Sequence, residues 1–431
     1  MKPRHLLVLL AGCTPTAPGS TDGVSDGGTA STTVISTSGH VSETSSEATT
    51  ATTALPTSTT STSTTDESTT GTTGPAPVCG DGLRQPGEFC FAPGVHLSTG
   101  PRPVAVAIAD LDLDGDHDLL FADFEAGELT LQTGDGSGQF VAGPVLPTFL
   151  RPRDALAADV DGDGRLDLVF ADPGVGLVGV YRHVGPGLVY DPPQPVKAGT
   201  EPRALATADL DDDGLLDLAV ADESGDAVLV LLGAGGGEFA DAVVYPVGDE
   251  PYDVIIADVD ADGRLDLVSA DQNQARVTVL LSDGPGTFVD AGQRFVNPEP
   301  RRLVAADLNL DGLLDLATAS FTANHLSILP GQGGGEFGEY IPIVLGEGLY
   351  AVIGADLDGD GPPELVAVDH TQGELVVIAG LGVHDVVSIA RFEIGAGPMD
   401  LAAADLDGDG ALDIVTADAF GAGATVLLAD P

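Results

Sequence analysis

Asp405-Leu406-Asp407-Gly408-Asp409-Gly410-Ala411-Leu412-Asp413 is the last of seven near copies of one nonapeptide, whose first acids recur every 49 or 50 residues from Asp110 to Asp405. A fixed period of this length marks a chain built from repeated supersecondary units. In six of the seven copies, acids stand at positions 1, 3, 5 and 9 of a tight loop, and in the fifth at 1, 5 and 9. A hard cation such as calcium takes about six to eight oxygen ligands at roughly 2.3 to 2.6 Å, and such a loop offers them. The carboxylates are Asp110, Asp112, Asp114 and Asp118 in the first loop, then Asp159, Asp161, Asp163 and Asp167, and then Asp209, Asp211, Asp213 and Asp217. The fourth loop has Asp258, Asp260, Asp262 and Asp266; the fifth, Asp307, Asp311 and Asp315, with Asn309 at position 3. Asp356, Asp358, Asp360 and Glu364 form the sixth set, and Asp405, Asp407, Asp409 and Asp413 the seventh. Glycine at position 6 lets the chain reverse at positive φ, so that the carbonyl of position 7 also faces the ion. No particular side chain is needed there, and Asp116, Arg165, Leu215, Arg264, Leu313, Pro362 and Ala411 occupy it. The spacing predicts up to seven calcium ions, held least well where Asn309 removes a charge and where Glu364 follows Pro362 and Pro363.

An EF-hand loop begins the same way but ends with a bidentate Glu at position 12 between two helices. Here position 12 is Phe121, Phe170, Val220, Ser269, Thr318, Ala367 or Thr416. The flanks, such as Val104 to Ala109 and Leu119 to Ala122, are short apolar runs without helical periodicity. Each loop is therefore expected to join two buried strands of a hairpin.

The repeat then reads as a blade. A third strand follows (Val228 to Leu232, Val277 to Leu281, Val426 to Leu428), then a glycine-rich turn such as Gly331 to Gly335, then a fourth strand opening at Phe140, Tyr190, Phe239, Phe288, Phe337 or Val386. Four antiparallel strands per period make a β-propeller blade. Phe91 lies 19 residues before Asp110, the phase of a fourth strand, while the last repeat stops after its third. The fold class is thus all-β: a seven-bladed β-propeller over residues 91–431, closed by an N-terminal strand that removes free sheet edges. An open solenoid is the competing arrangement.

The Ala-Asp-Leu-Asp-Gly-Asp-Gly core and the Gly-x-Gly-x-Phe turn resemble the FG-GAP or VCBS family, which includes the calcium-binding blades of integrin α-subunit propellers. The resemblance spans residues 91–431. It implies calcium in the loop between the first two strands, and roles in adhesion, carbohydrate binding or cell-surface recognition.

Upstream, Lys2 and Arg4, the apolar Leu6 to Leu10 and Leu10-Ala11-Gly12-Cys13 read as a lipoprotein signal over residues 1–12 with lipidation on Cys13. Residues 13–77 are nearly all Ser, Thr, Ala, Gly and Pro, which cannot bury a core, and form a disordered tether with an r.m.s. span of roughly 45 Å. Residues 78–90 form a small turn-rich segment bracketed by Cys79 and Cys90, expected to be disulfide-bonded in an oxidising compartment. It resembles the start of a cysteine-rich module of myxobacterial surface proteins. These features predict export and lipid anchorage at the outer membrane or cell surface of a Gram-negative bacterium.

The loops hold 29 of the 67 acids in a chain of net charge -51, which excludes nucleic acid as a natural partner and leaves the lipid as the route to a membrane. The histidines, including His96, His117, His183, His325, His370 and His384, fall at unrelated phases and read as solvated or incidental. Neither HExxH nor Gly-x-Ser-x-Gly occurs. At the face opposite the loops, one phase holds Arg153, Arg203, Tyr252, Arg301 and Tyr350, residue types favoured at recognition sites. The competing reading pairs Arg153 with Asp172 and Arg203 with Asp222 across a hairpin. The sequence therefore predicts a monomeric, non-catalytic binding or adhesion module for a glycan or protein. The alternatives are a polysaccharide lyase or hydrolase on a propeller scaffold, and a calcium-stiffened spacer.

Overall fold

The computed structural model describes residues 89–430 apart from 347, 381–387 and 422. They form seven four-stranded antiparallel sheets, with three small two-stranded hairpins beside them. The first strand of each blade, as in Pro103–Ala109 and Pro251–Ala257, enters the acidic loop, and the second, as in Asp118–Asp123 and Asp266–Asp271, leaves it. All seven second strands are buried along their whole length. Each blade is sandwiched between two neighbours, so both faces of its inner strands need apolar side chains, and Ala, Val and Leu run continuously rather than alternating. Fourth strands such as Ser388–Glu393 alternate with solvent.

The seventh sheet draws on both ends of the described chain. Val95–Leu97 pairs antiparallel with Gly423–Leu427 in the register Val95 to Val426 and Leu97 to Ala424, and Phe91 bridges Ala429.

Other fourth strands depart from expectation. Tyr190, Phe239 and Phe337 lie in the short hairpins (Val189–Tyr190, Glu238–Phe239, Glu336–Phe337), and the fourth strands follow them as Gln194–Lys197, Val243–Pro246 and Ile341–Val344. Consecutive glycines at positive φ, Gly235 to Gly237 and Gly333 to Gly335, close the last two hairpins too tightly for a long ladder to grow from them. In the first blade Phe140 does open the strand, and in the fourth Phe288 sits inside Thr287–Phe295. Val386 lies outside the described residues, as do Cys13, Cys79, the tether and His384.

Neighbouring blades are tied together by buried acids on their first strands. Asp154 accepts the amide of Leu205 at 2.8 Å, Asp253 that of Leu303 at 2.9 Å, and Asp400 that of Val106 at 2.9 Å. Arg302, itself buried, lies 3.5 Å from Asp253 and 3.2 Å from Asp400, linking the fourth, fifth and seventh blades. Burial pushes the Asp253 carboxyl up to about 7, with Arg302 opposing the shift.

Deleting residues 91–99 removes the outer strand of the seventh sheet and leaves Gly423–Leu427 with an unpaired apolar edge. The expected result is a lower melting temperature and aggregation on size-exclusion chromatography. Parent-like melting and elution would show that this strand does not hold the ring shut.

Candidate metal sites

Every loop is preorganised by its own amides. The position 1 carboxylate accepts from position 6 and from position 5 or 4: Asp110 from Asp114 and Gly115, both at 3.1 Å, Asp209 from Asp213 at 3.0 Å and Gly214 at 2.9 Å, but Asp356 from Gly359 and Gly361 and Asp405 from Gly408 and Gly410. Gly115, Gly214 and Gly312 have φ of 98°, 92° and 87°, as the sequence spacing requires. Position 4 is also left-handed, and there Leu113, Asp212, Ala261 and Leu310 adopt φ between 56° and 64° without being glycine. Such residues tolerate that conformation only where the surroundings impose it. The repetition of DGDG in only some copies gave little sign of it.

Candidate ligand oxygens converge. In the first three loops one oxygen from each of positions 1, 3 and 9 lies within 4.8 Å of the others (Asp110, Asp112, Asp118; Asp159, Asp161, Asp167; Asp209, Asp211, Asp217). In the fourth and sixth the same holds for positions 1, 3 and 5 (Asp258, Asp260, Asp262; Asp356, Asp358, Asp360). An all-oxygen donor set with carbonyls beside it fits a hard divalent cation. In two loops the position 7 side chain intrudes: the guanidinium of Arg165 pairs with Asp163, and that of Arg264 with Asp262. A tethered cation already rests on the position 5 acid in those copies.

Position 9 carries a second duty that spacing alone did not reveal. Asp217 accepts the amide of Leu210 on one oxygen at 2.7 Å and that of Gly233 on the other at 2.6 Å, joining the loop to the end of the third strand. The same pair of bonds is made by Asp118, Asp167, Asp266, Asp315 and Asp413. Glu364 accepts from Leu357 at 2.8 Å. These groups are almost wholly buried, and desolvation pushes Asp118, Asp217, Asp266, Asp315 and Asp413 up to about 6, Asp167 to about 7 and Glu364 to about 8. A bound cation would act against that shift by favouring the charged form.

At the opposite mouth, Arg153, Arg203, Tyr252, Arg301 and Tyr350 are brought together but buried, none more than 5% exposed. The Tyr252 hydroxyl meets that of Tyr350 at 2.6 Å across the fifth blade, and Arg301 donates to both. Arg203 stacks over Tyr252 at 3.7 Å and Arg153 over Phe124 at 3.8 Å. The cross-strand pairs do not form. Pro202, not Arg203, is opposite Asp222, because a bulge inserts one residue before Ala204, and the same bulge carries Tyr252, Arg301 and Tyr350. A bulge re-aims its extra side chain. Arg203 pairs with Glu223 instead, while Asp172 accepts the amides of Leu150 and Arg151, and Asp222 those of Thr200 and Glu201. Arg151, Leu150 and Phe420 remain exposed at this end. Nor are the histidines all solvated. His183 is buried, with its Nε2 2.6 Å from the Gly187 carbonyl, and His370 packs among Phe321, Tyr350 and Phe420.

The fold and its loops define a seven-bladed β-propeller with an acidic, oxygen-rich loop per blade, several of which could hold a metal ion. The chain matches the FG-GAP-like repeat over residues 110–170, 209–269, 258–318, 307–367 and 356–416, well over half its length, and belongs to that family. No curated protein matches it. Similar solved structures include the periplasmic gluconolactonase PpgL of Pseudomonas aeruginosa, 16% identical with a TM-score of 0.54 over 79% of this chain and 99% of that one. Kuenenia stuttgartiensis hydrazine synthase is 17% identical with a TM-score of 0.52, covering 77% and 97%. BBS1N, solved in complex with ARL6DN, is 17% identical with a TM-score of 0.56, covering 80% and 97%. At these identities the likeness is one of fold alone.

Two outcomes separate the roles of these acids. Asp217→Ala strands two amides and is expected to lower stability by about 2–4 kcal/mol even in chelator, whereas Asp209→Ala, at the open end of the loop, should matter mainly when a cation is present. Denaturant titration of both variants with and without EDTA checks this; equal effects in EDTA would contradict it. The second outcome concerns pH. The folded carboxyls sit above their unfolded value, so the folded protein holds protons that the unfolded chain has already released. In chelator this contribution is fullest below about pH 4 and is lost as pH rises through about 6 to 8, so melting at about pH 5 should exceed that at about pH 7.5. A divalent cation should narrow or reverse the order. A chelated protein that gains stability over that interval would refute the assignment.

Proposed function

We propose that this protein is a calcium-binding, non-catalytic recognition module, carried at a cell surface by a lipid on Cys13 and binding a glycan or protein. The observation that carries the reading is the convergence of carboxylate oxygens, repeated in at least five of the seven loops, inside turns already shaped by their own amides. With no thiol or imidazole in these sets, calcium suits them better than a softer metal. Its tolerance of irregular, high coordination favours it over magnesium. Bound calcium would neutralise the clustered carboxylates and fix the turns between first and second strands, leaving the blade edges and the far mouth as recognition surface. Against catalysis stands the regularity of the perturbed acids. The same burial at the same repeat position raises the carboxyl in all seven copies, to about 6 in five, about 7 at Asp167 and about 8 at Glu364, as a shared structural position would.

Each site contributes RT ln(1 + [Ca]/Kd), roughly 1.4 kcal/mol at ten times Kd and about 10 kcal/mol for seven sites. Excess EDTA is therefore expected to lower the melting temperature by many degrees, and millimolar calcium to restore it. An unchanged melting curve would sink the calcium reading. A glycan array probed with and without chelator tests recognition, and sizing of cell-surface polysaccharides after incubation tests turnover. Shortened chains would replace the recognition module with an enzyme.

A further inference from the structure

The fourth blade is built differently from its neighbours. Its fourth strand, Thr287–Phe295, is continuous for nine residues, and a bulge at Gly292, with φ of 104°, shifts the register of its last residues. Between that end and the segment following the fifth blade's glycine hairpin lies a groove of about 580 Å³, lined by Gln293, Arg294, Phe295, Phe337, Glu339 and Tyr340 among others. We propose that this groove binds a neutral saccharide, an inference that locates the ligand of the recognition module.

Phe295 is 65% exposed, so an apolar ring is held in water. Its conformation is fixed from one side: Arg276, its cross-strand partner, lies over the ring at 4.7 Å and also donates to the side-chain carbonyl of Gln293. The second face is left for a ligand, and the apolar C–H face of a pyranose stacks on such a ring. Buried Phe337 and half-buried Tyr340 supply further aromatic lining, with Tyr340 packed against the core of the fourth and fifth blades. The planar amide of Gln293 and the exposed carboxylate of Glu339 are suited to bind hydroxyls from the flanks. A few placed polar groups on an apolar, aromatic lining are the usual make-up of a small-molecule site of this volume.

Charge selects the class of sugar. Among the described residues lining the groove, Arg294 supplies the positive charge and is paired with Glu336, while Arg276 sits behind the Phe295 ring and is tied to Gln293. With Glu339 beside it and a net charge of -51 on the chain, a uronate or sulfated sugar would be repelled. An uncharged hexose or N-acetylhexosamine would not.

The chain contains no tryptophan, which makes Phe295→Trp both a conservative variant and a reporter. The full-length protein in calcium is titrated with maltose, cellobiose, lactose, N,N′-diacetylchitobiose and digalacturonate, by calorimetry for the parent and Phe295→Ala and by fluorescence for Phe295→Trp. We expect at least one neutral disaccharide to bind the parent, to lose tenfold or more in affinity with Phe295→Ala, and to shift the emission of Phe295→Trp. Digalacturonate should bind more weakly than that neutral sugar. Melting curves establish that both variants fold, as substitution at an exposed position should allow. Equal binding by parent and Phe295→Ala would overturn the groove while leaving a saccharide-binding module intact. Preference for digalacturonate would overturn the ligand class, and no binding of any neutral sugar would overturn the inference itself. The calcium-dependent reading fails separately, by an unchanged melting curve in EDTA.

Discussion

Two amides on one buried carboxylate hold six of the seven blades in shape, and Glu364 accepts one in the sixth. The last acid of the loop reaches back to the second residue of its own turn and across to the end of the third strand, so a single side chain fixes the loop, its two flanking strands and their neighbour. A carboxylate is removed from water for this purpose in every copy, and it is poorly solvated there, as the upward shifts record. The acids at positions 1 and 3 repel it further, as Asp209 and Asp211 do at Asp217. The fold thus creates a local deficit of positive charge at the same place in each blade, and a hard cation is the simplest remedy. Two copies already meet part of it internally, with Arg165 and Arg264 folded onto the neighbouring acid.

Much of this was legible in the sequence, because a period is robust to local error. Seven acidic nonapeptides at a constant interval give the blade count, and the phase of Phe91 points to the strand that pairs with Gly423–Leu427. What escaped were features depending on one extra residue or on a neighbour distant in the chain. The bulge after Pro202, Pro251 and Pro300 shifts the following side chain out of alternation, so Arg203 does not face the acid that period-two counting assigns to it. The short hairpins containing Tyr190, Phe239 and Phe337 divide what reads as one strand into two pieces. The double acceptance at position 9 had a signal in hindsight: that position is never occupied by anything but an acid, even where position 3 relaxes to Asn309.

Individuality lies where the repeat lapses. The phase that holds Asp154, Asp253 and Asp400 holds Ala105, Ala204 and Ala351 in other blades and Arg302 in the fifth, so the ties between blades are unevenly distributed around the ring. Arg302 reaches acids of two other blades from one position. Arg203, Arg301, Tyr252 and Tyr350 stack together at the far end, and Arg153 stacks separately on Phe124. A chain of identical repeats would have none of these contacts. They favour one order of blades over its circular alternatives, and they make the surfaces of successive blades chemically unlike.

The pairing of Val95–Leu97 with Gly423–Leu427 also sets how the disc responds to load. Phe91 bridges Ala429, so the chain on either side of this junction departs at the same end of one antiparallel strand pair, on the outer rim of the seventh sheet. A pull that draws residues 89 and 430 apart therefore opens the pair as a zipper, bond after bond from Phe91 inward, rather than shearing all its bonds at once. Zippering yields at low force. Under tension the seventh blade would give first, shedding one short strand while six four-stranded sheets keep their ladders.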